Sequence, residues 1–96
     1  MQTNYLWTEE KDGLTIIGVS EVLQEEVGEI SYANLARLGE IEEGTTLLNV
    51  EASKATIEVA SPISGQIVER HDQVEDEPSL LDAKDHDKNW LVKVQA

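Results

Sequence analysis

An all-β fold, a small barrel or sandwich carrying one short helix, is what this 96-residue chain predicts. Three observations lead there. Its apolar residues fall in short runs rich in β-branched side chains, such as LTIIGV, TTLLNV and TIEVA. Gly, Pro and Asp punctuate those runs at close intervals, as turns do in small β proteins. Apolar residues at helical spacing, framed by a capping residue and a glycine, occur in one short stretch after Val19.

Each element follows in order. Asn4 to Thr8 and Leu14 to Val19 read as two strands joined through charged residues ending in Asp12-Gly13, a hairpin signal. Ser20 then offers an N-cap, Glu21 an acid in the first turn, Leu23 and Val27 an i,i+4 apolar pair, and Gly28 a left-handed stop. Glu29 to Leu35 returns to strand, and Gly39 and Gly44 mark turns around an acidic patch. Thr46 to Val50 runs up to Lys54, and Ala55 to Ala60 runs down from it. Ser61-Pro62 opens another run in which Ser64-Gly65 turns into Gln66 to Glu69. Beyond an acidic loop, Leu80-Leu81 and Trp90 to Val94 complete the strands. An internal echo aligns IEEGTTLLNVE from Ile41 with VEDEPSLLDAK from Val74, which suggests two similar halves facing across one core.

Composition narrows the function. The length suits one domain, residues 1–96. Without cysteine there is no disulfide, thiolate nucleophile or cysteine metal site, so redox chemistry would need an attached group. A net charge of −13 and a pI near 4.3 oppose binding to nucleic acid or an anionic membrane. The start, MQTNYLWTEEK, lacks the basic and apolar regions of a signal peptide, and no apolar run spans a bilayer, which predicts a cytoplasmic protein. Asp85 to Asn89 resembles the opening of a calcium loop, but Trp90 stands where glycine belongs, so an acidic surface loop is expected. His71 and His86 lack the short spacing of metal ligands, and Ser61 and Ser64 lack a nucleophile-elbow context, so neither a metal site nor a catalytic centre is expected. Trp7 and Trp90, in apolar runs, read as core anchors.

One cation stands out. Between Arg37 and Arg70 the only Lys or Arg is Lys54, at the expected apex of a hairpin between LLNV and TIEV. A tight turn can fix an amine at a defined position on a rigid base. An ordinary lysine, with a pKa of roughly 10.4, is protonated at neutral pH, so its nitrogen must lose a proton before it can act as a nucleophile.

The residues around Lys54 carry a resemblance. Glu51-Ala52-Ser53-Lys54-Ala55, followed by Ser61-Pro62-Ile63-Ser64-Gly65-Gln66-Ile67-Val68-Glu69, is similar to the lipoyl-attachment hairpin and next strand of the glycine cleavage system H protein family. Gly18-Val19-Ser20, Gly28-Glu29-Ile30, Glu75-Asp76-Glu77-Pro78 and Trp90-Leu91-Val92-Lys93-Val94 agree in order, so the likeness covers nearly the whole chain. It implies a flattened β-barrel or barrel-sandwich hybrid, with lipoate in amide linkage to Lys54. Biotinyl carriers share this hairpin, but their lysine usually lies between methionines, and here Ser53 and Ala55 flank it. By the same resemblance Glu51, three residues before the lysine, is a candidate for recognition by the modifying enzyme; an ordinary solvated carboxylate is the alternative.

The resemblance further implies a carrier and not an enzyme. A lipoate ligase or lipoyl transferase would load it. The arm would take an aminomethyl group at glycine decarboxylase, yield it to an aminomethyltransferase and be reoxidised by dihydrolipoyl dehydrogenase. Two departures stand beside this. H proteins usually continue past the last strand, whereas this sequence stops at Gln95-Ala96, and Asn34-Leu35-Ala36 replaces the usual Glu-Leu-Pro. Short H-like carriers that act in lipoyl relay or in ADP-ribosylation and oxidative-stress systems are the alternative in the same class. An unmodified interaction domain is the alternative outside it.

Overall fold

The computed structural model describes residues 5–96. Its first hairpin pairs β1 (Leu6–Lys11) with β2 (Leu14–Val19), and Asp12 at φ 55° and Gly13 at φ 80° form the two-residue turn. β1 lies further along than the expected Asn4 to Thr8; Asn4 is outside the described residues, and the charged residues taken for linker belong to the strand. They are tolerated because Glu9, Glu10 and Lys11 face water on an edge.

Helix α1 (Glu21–Val27) starts and stops at the expected signals. The Ser20 hydroxyl accepts the Leu23 N–H at 3.4 Å, and the Gly28 N–H donates to the Gln24 carbonyl at 3.0 Å. Leu23 and Val27 are buried against the sheets, and the Tyr5 hydroxyl donates to the Glu26 carboxylate, tying the helix to the start of the described chain. That bond, with burial added, raises the Tyr5 phenol above its ordinary range.

The remaining strands are β3 (Ile30–Leu35), β4 (Gly39–Ile41), β5 (Thr46–Ala52), β6 (Thr56–Ala60), β7 (Gly65–Arg70) and β8 (Trp90–Gln95). β4 was hidden in the sequence by its three-residue length and its opening glycine, which read as a turn. Strand order is β1-β2-β8-β7-β4 in one sheet and β3-β5-β6 in the other, with every pairing antiparallel. The expected flattened barrel or barrel-sandwich hybrid is met in its β-rich part, two sheets over one shared core, and no strand pairing among the described residues joins the two sheets. Among the described residues four ladders each carry one extra residue, Ser31, Leu47, Val68 and Leu91, and two of these are core leucines, Leu47 opposite Ala60-Val59 and Leu91 opposite Ile17-Gly18. Such bulges interrupt alternation and let consecutive side chains, Leu47 with Leu48 and Leu91 with Val92, all enter the interior.

Between β7 and β8 the chain is helical, where one helix in the whole protein had been expected. It forms α2 (Gln73–Asp76), a 3-10 helix (Pro78–Asp82) and α3 (His86–Asn89). Leu80-Leu81 is therefore not a strand: Pro78 starts the 3-10 turn, and Leu81 is fully buried. The echo with Ile41 to Glu51 is not a structural repeat, because its first copy runs into β5 and its second is helical. Asp85 to Asn89 is likewise a capped helical turn, with the Asp85 carboxylate accepting the Asp87 N–H at 2.9 Å. This segment lies along β3 and serves its edge: Glu75 accepts the Leu35 N–H at 2.9 Å and Asp82 the Ile30 N–H at 3.2 Å. Arg70 holds Glu75 in place at 2.8 Å.

The tryptophans are half-buried and sit outside the core. Trp7 lies flat against His86 with ring centroids 3.8 Å apart and donates its indole N–H to Asn89, while Trp90 stacks on His71. Their polar N–H and flat faces suit a sheet surface capped by imidazoles better than an apolar interior. No helix of the described residues is long and apolar enough to cross a membrane.

Candidate functional site

β5 carries Glu51 and Ala52 to the end of its sheet, and Ser53, Lys54 and Ala55 turn the chain back into β6. Glu51 thus belongs to the strand, which runs two residues beyond the expected Val50. The Ala52 N–H donates to the Ala55 carbonyl at 3.0 Å across the turn. None of the three turn residues has positive φ, so the reversal needs no glycine of its own.

Its support comes from α1. The last carbonyls of a helix lack partners within it, and here the turn supplies them: the Lys54 N–H donates to the Val27 carbonyl at 2.8 Å. Just beyond the helix, the Ser53 N–H donates to the Glu29 carbonyl at 2.9 Å, and the Ser53 hydroxyl accepts the Glu29 N–H at 3.0 Å. Three backbone-directed bonds therefore clasp the turn to residues 27–29. Gly28 makes that approach possible, since a Cβ there would stand 2.5 Å from the Ser53 hydroxyl oxygen and 3.2 Å from Lys54 Cγ. At φ 80° and ψ −151° it also occupies backbone space that other residues rarely adopt.

Above this anchored backbone the Lys54 side chain is exposed. Its ammonium donates to the Glu25 carbonyl at 3.4 Å, in the last turn of α1, where the helix dipole favours a cation. No ion pair among the described residues includes it. The Glu51 side chain is exposed as well, and its carboxylate makes neither a hydrogen bond nor an ion pair among the described residues. The two candidate residues share one end of the molecule without touching through their charged groups.

Asp82 completes the surroundings. Its carboxylate holds the Ile30 N–H, one residue beyond the clasp, and partial burial raises its pKa above the ordinary carboxylate value against the lowering effect of that hydrogen bond. Glu29 nearby raises it further. Neither Asp82 nor Ser53 was singled out from the sequence. Asp82 lies 52 residues from its partner, and a serine beside a lysine carries no signal of a clasp.

His71 and His86 are engaged with Trp90 and Trp7, and no cluster of three or more metal-ligating side chains occurs among the described residues. A groove of about 280 Å³ runs past Trp7, Trp90 and Lys93 on the outer face of the larger sheet, and neither Lys54 nor Glu51 lines it.

Against known proteins, the family described as "Glycine cleavage H-protein" matches residues 1–96. The chain is 34% identical over 91 residues to a glycine cleavage system H-like protein of Staphylococcus aureus, covering 95% of this chain and 83% of that one. It is 36% identical over 85 residues to a probable glycine cleavage system H protein of Thermococcus kodakarensis, covering 88% of this chain but only 63% of that one. Among solved structures, a glycine cleavage system H protein from Mycobacterium marinum superposes with a TM-score of 0.87 at 26% identity, covering 98% of this chain and 80% of that one.

Proposed function

The chain belongs to the glycine cleavage H-protein family, carriers and not catalysts, and from that premise we propose that Lys54 is its lipoyl-attachment residue and that the loaded arm shuttles an aminomethyl group within the glycine cleavage system. One observation carries this reading: an exposed amine at the apex of a turn whose backbone is clasped to a helix. A free loop would present the same nitrogen over many orientations, and the clasp removes most of them.

The site fits an acylated lysine. The side chain rises from the turn into solvent, and its one polar contact among the described residues is an exposed bond to a carbonyl at 3.4 Å. Acylation replaces three charged N–H donors by one neutral N–H, so the hold of the α1 terminus on the side chain weakens and the arm is released from the surface. When attached, the dithiolane supplies a reducible sulfur pair to a chain that has no cysteine. Ser53 and Gly28 keep the root of the arm in place, and Glu51 offers a carboxylate to the modifying enzyme.

The partners follow from this reading. A lipoate ligase or lipoyl transferase loads the cytoplasmic, one-domain chain. Glycine decarboxylase, aminomethyltransferase and dihydrolipoyl dehydrogenase then meet the arm in turn. The test is intact mass after incubation with lipoate ligase, ATP and lipoate: one lipoyl amide in the wild type and none in Lys54→Ala. Glycine–bicarbonate exchange with the decarboxylase then assigns the pathway. The match to an H-like protein that this chain spans by 83% favours a second reading, a lipoylated carrier for lipoyl relay or an ADP-ribosylation system. A fully lipoylated sample that supports no exchange selects it.

A further inference from the structure

Each open sheet ends in two strands, and an unpaired strand edge is a template for another chain unless something blunts it. Three of the four edges here are blunted. β1 carries Glu9, Glu10 and Lys11 among its six residues, and β4 is three residues long. The β3 edge is covered by the helical segment after β7, with Asp82 and Glu75 taking the N–H groups of Ile30 and Leu35. β6 has none of these devices. Among the described residues it pairs with β5 on one side and with no strand on the other, it contains a single charge and no proline, and it begins two residues beyond Lys54.

The free backbone groups can be named. The Ala52 N–H donates to the Ala55 carbonyl, and hydrogen-bonded pairs recur at every second residue of an antiparallel ladder. Ile57 and Val59, opposite Val50 and Leu48, therefore direct their N–H and C=O groups at β5. Thr56, Glu58 and Ala60 direct theirs outward, and all three residues are exposed.

We propose that β6 is a docking strand, to which the enzyme that acylates Lys54 adds an extended segment of its own. The inference rests on the reading of Lys54 as the attachment residue. Backbone pairing along Thr56, Glu58 and Ala60 places that enzyme in register with an amine two residues from the strand's start, and pairing of this kind supplies affinity with little dependence on sequence. Charge fixes the character of the added segment. Glu58 on β6, Glu51 opposite Thr56, and Glu25 and Glu29 beside the clasp are all exposed, so the segment that fits carries Lys or Arg.

Steady-state lipoylation by a lipoate ligase with ATP and lipoate tests this. Glu58→Pro removes an outward N–H and no bond to β5, whereas Glu58→Ala removes only the charge. The expected result is a KM about tenfold higher for Glu58→Pro with kcat little changed, and a rise within about threefold for Glu58→Ala. Amide hydrogen exchange of the unsubstituted chain reads the same contact without a variant: saturating ligase slows exchange at Thr56, Glu58 and Ala60 and leaves β1 unchanged. Unchanged exchange at those three amides, or a wild-type KM in a Glu58→Pro chain whose circular dichroism is native, overturns the docking strand; lipoylation of the wild type at Lys54 then leaves the carrier reading standing. A wild-type chain that takes up no lipoyl group overturns both.

Discussion

The Asp12-Gly13 turn and the Ser53-Lys54 turn both reverse the chain between antiparallel strands, yet they are held in different ways. Asp12-Gly13 holds itself. Both residues take positive φ, and nothing lies within 4 Å of the place where a Gly13 Cβ would stand. The Ser53-Lys54 turn has one bond of its own, from the Ala52 N–H to the Ala55 carbonyl, and is otherwise held from outside, by the carbonyls of Val27 and Glu29 and the N–H of Glu29. A turn closed by its own backbone must spend its apex on glycine and similar residues. A turn closed by a neighbour can place an ordinary lysine there, with its direction set by the neighbour.

Substitutions separate the two. The largest effect is expected at Gly28, which belongs to no hairpin but makes the outer clasp possible. Gly28→Ala combines positive-φ strain with a contact to the Ser53 oxygen and is expected to destabilise the chain by about 2–4 kcal/mol in urea unfolding. The fraction lipoylated per unit time falls with it, even at temperatures where the variant stays folded. Gly13→Ala strains the self-closed turn alone, so about 1–2 kcal/mol is lost in the same titration. Because α1 and the clasp are untouched, lipoylation kinetics should stay at the wild-type value. If Gly13→Ala slows lipoylation as much as Gly28→Ala, global stability and not the clasp governs presentation of the amine.

Ser53→Ala sharpens the contrast, since it removes one acceptor and keeps the backbone bonds. With the Glu29 N–H open to water, the expected loss is about 0.5–1 kcal/mol. Exchange at the Glu29 amide should rise while that at Lys54 stays slow, which nuclear magnetic resonance can read directly.

The smallest effect concerns Asp82. Its folded pKa is raised, so the folded state binds the proton more readily than the unfolded chain does. Its contribution to stability is therefore full below the unfolded carboxylate pKa, near 4, and is lost as pH rises through the folded value. Asp82→Asn keeps an acceptor for the Ile30 N–H without the charge. In thermal melts it is expected to equal or slightly exceed the wild type at pH 7, with the difference vanishing by about pH 4. A variant less stable at pH 7 and no different at pH 4 would show instead that the charge itself holds β3.

Much of this was legible in local chemistry. The Asp12-Gly13 hairpin, the Ser20 cap, the α1 register of Leu23 and Val27, and the stop at Gly28 all stand where short-range signals put them. Lys54 stands on its turn for the same reason, between two β-branched runs. The helical segment before β8 was not legible, because PSLLD has no helical period and its leucines look like those of TTLLNV. What distinguishes the two is their neighbours. Leu48 pairs with Leu35 of β3 and Val59 of β6, with Leu47 bulged beside it, whereas Leu80 and Leu81 sit on a turn that puts Asp82 against the N–H of Ile30. The tryptophans were misplaced for a related reason: an apolar run does not say which of its faces a sheet will bury.

The sequence by itself determined where the chain turns, where its one substantial helix begins and ends, and that a solitary lysine would stand at an apex, because each depends on residues within a few positions of one another. Only the tertiary structure decided that the sheets stay open, that bulges bury Leu47 and Leu91 beside their neighbours, and that the lysine turn is fastened to the end of α1. Those outcomes depend on backbone groups a dozen or more residues apart finding each other. Every residue but proline offers the same backbone donor and acceptor, so which groups meet is settled only when the layers pack.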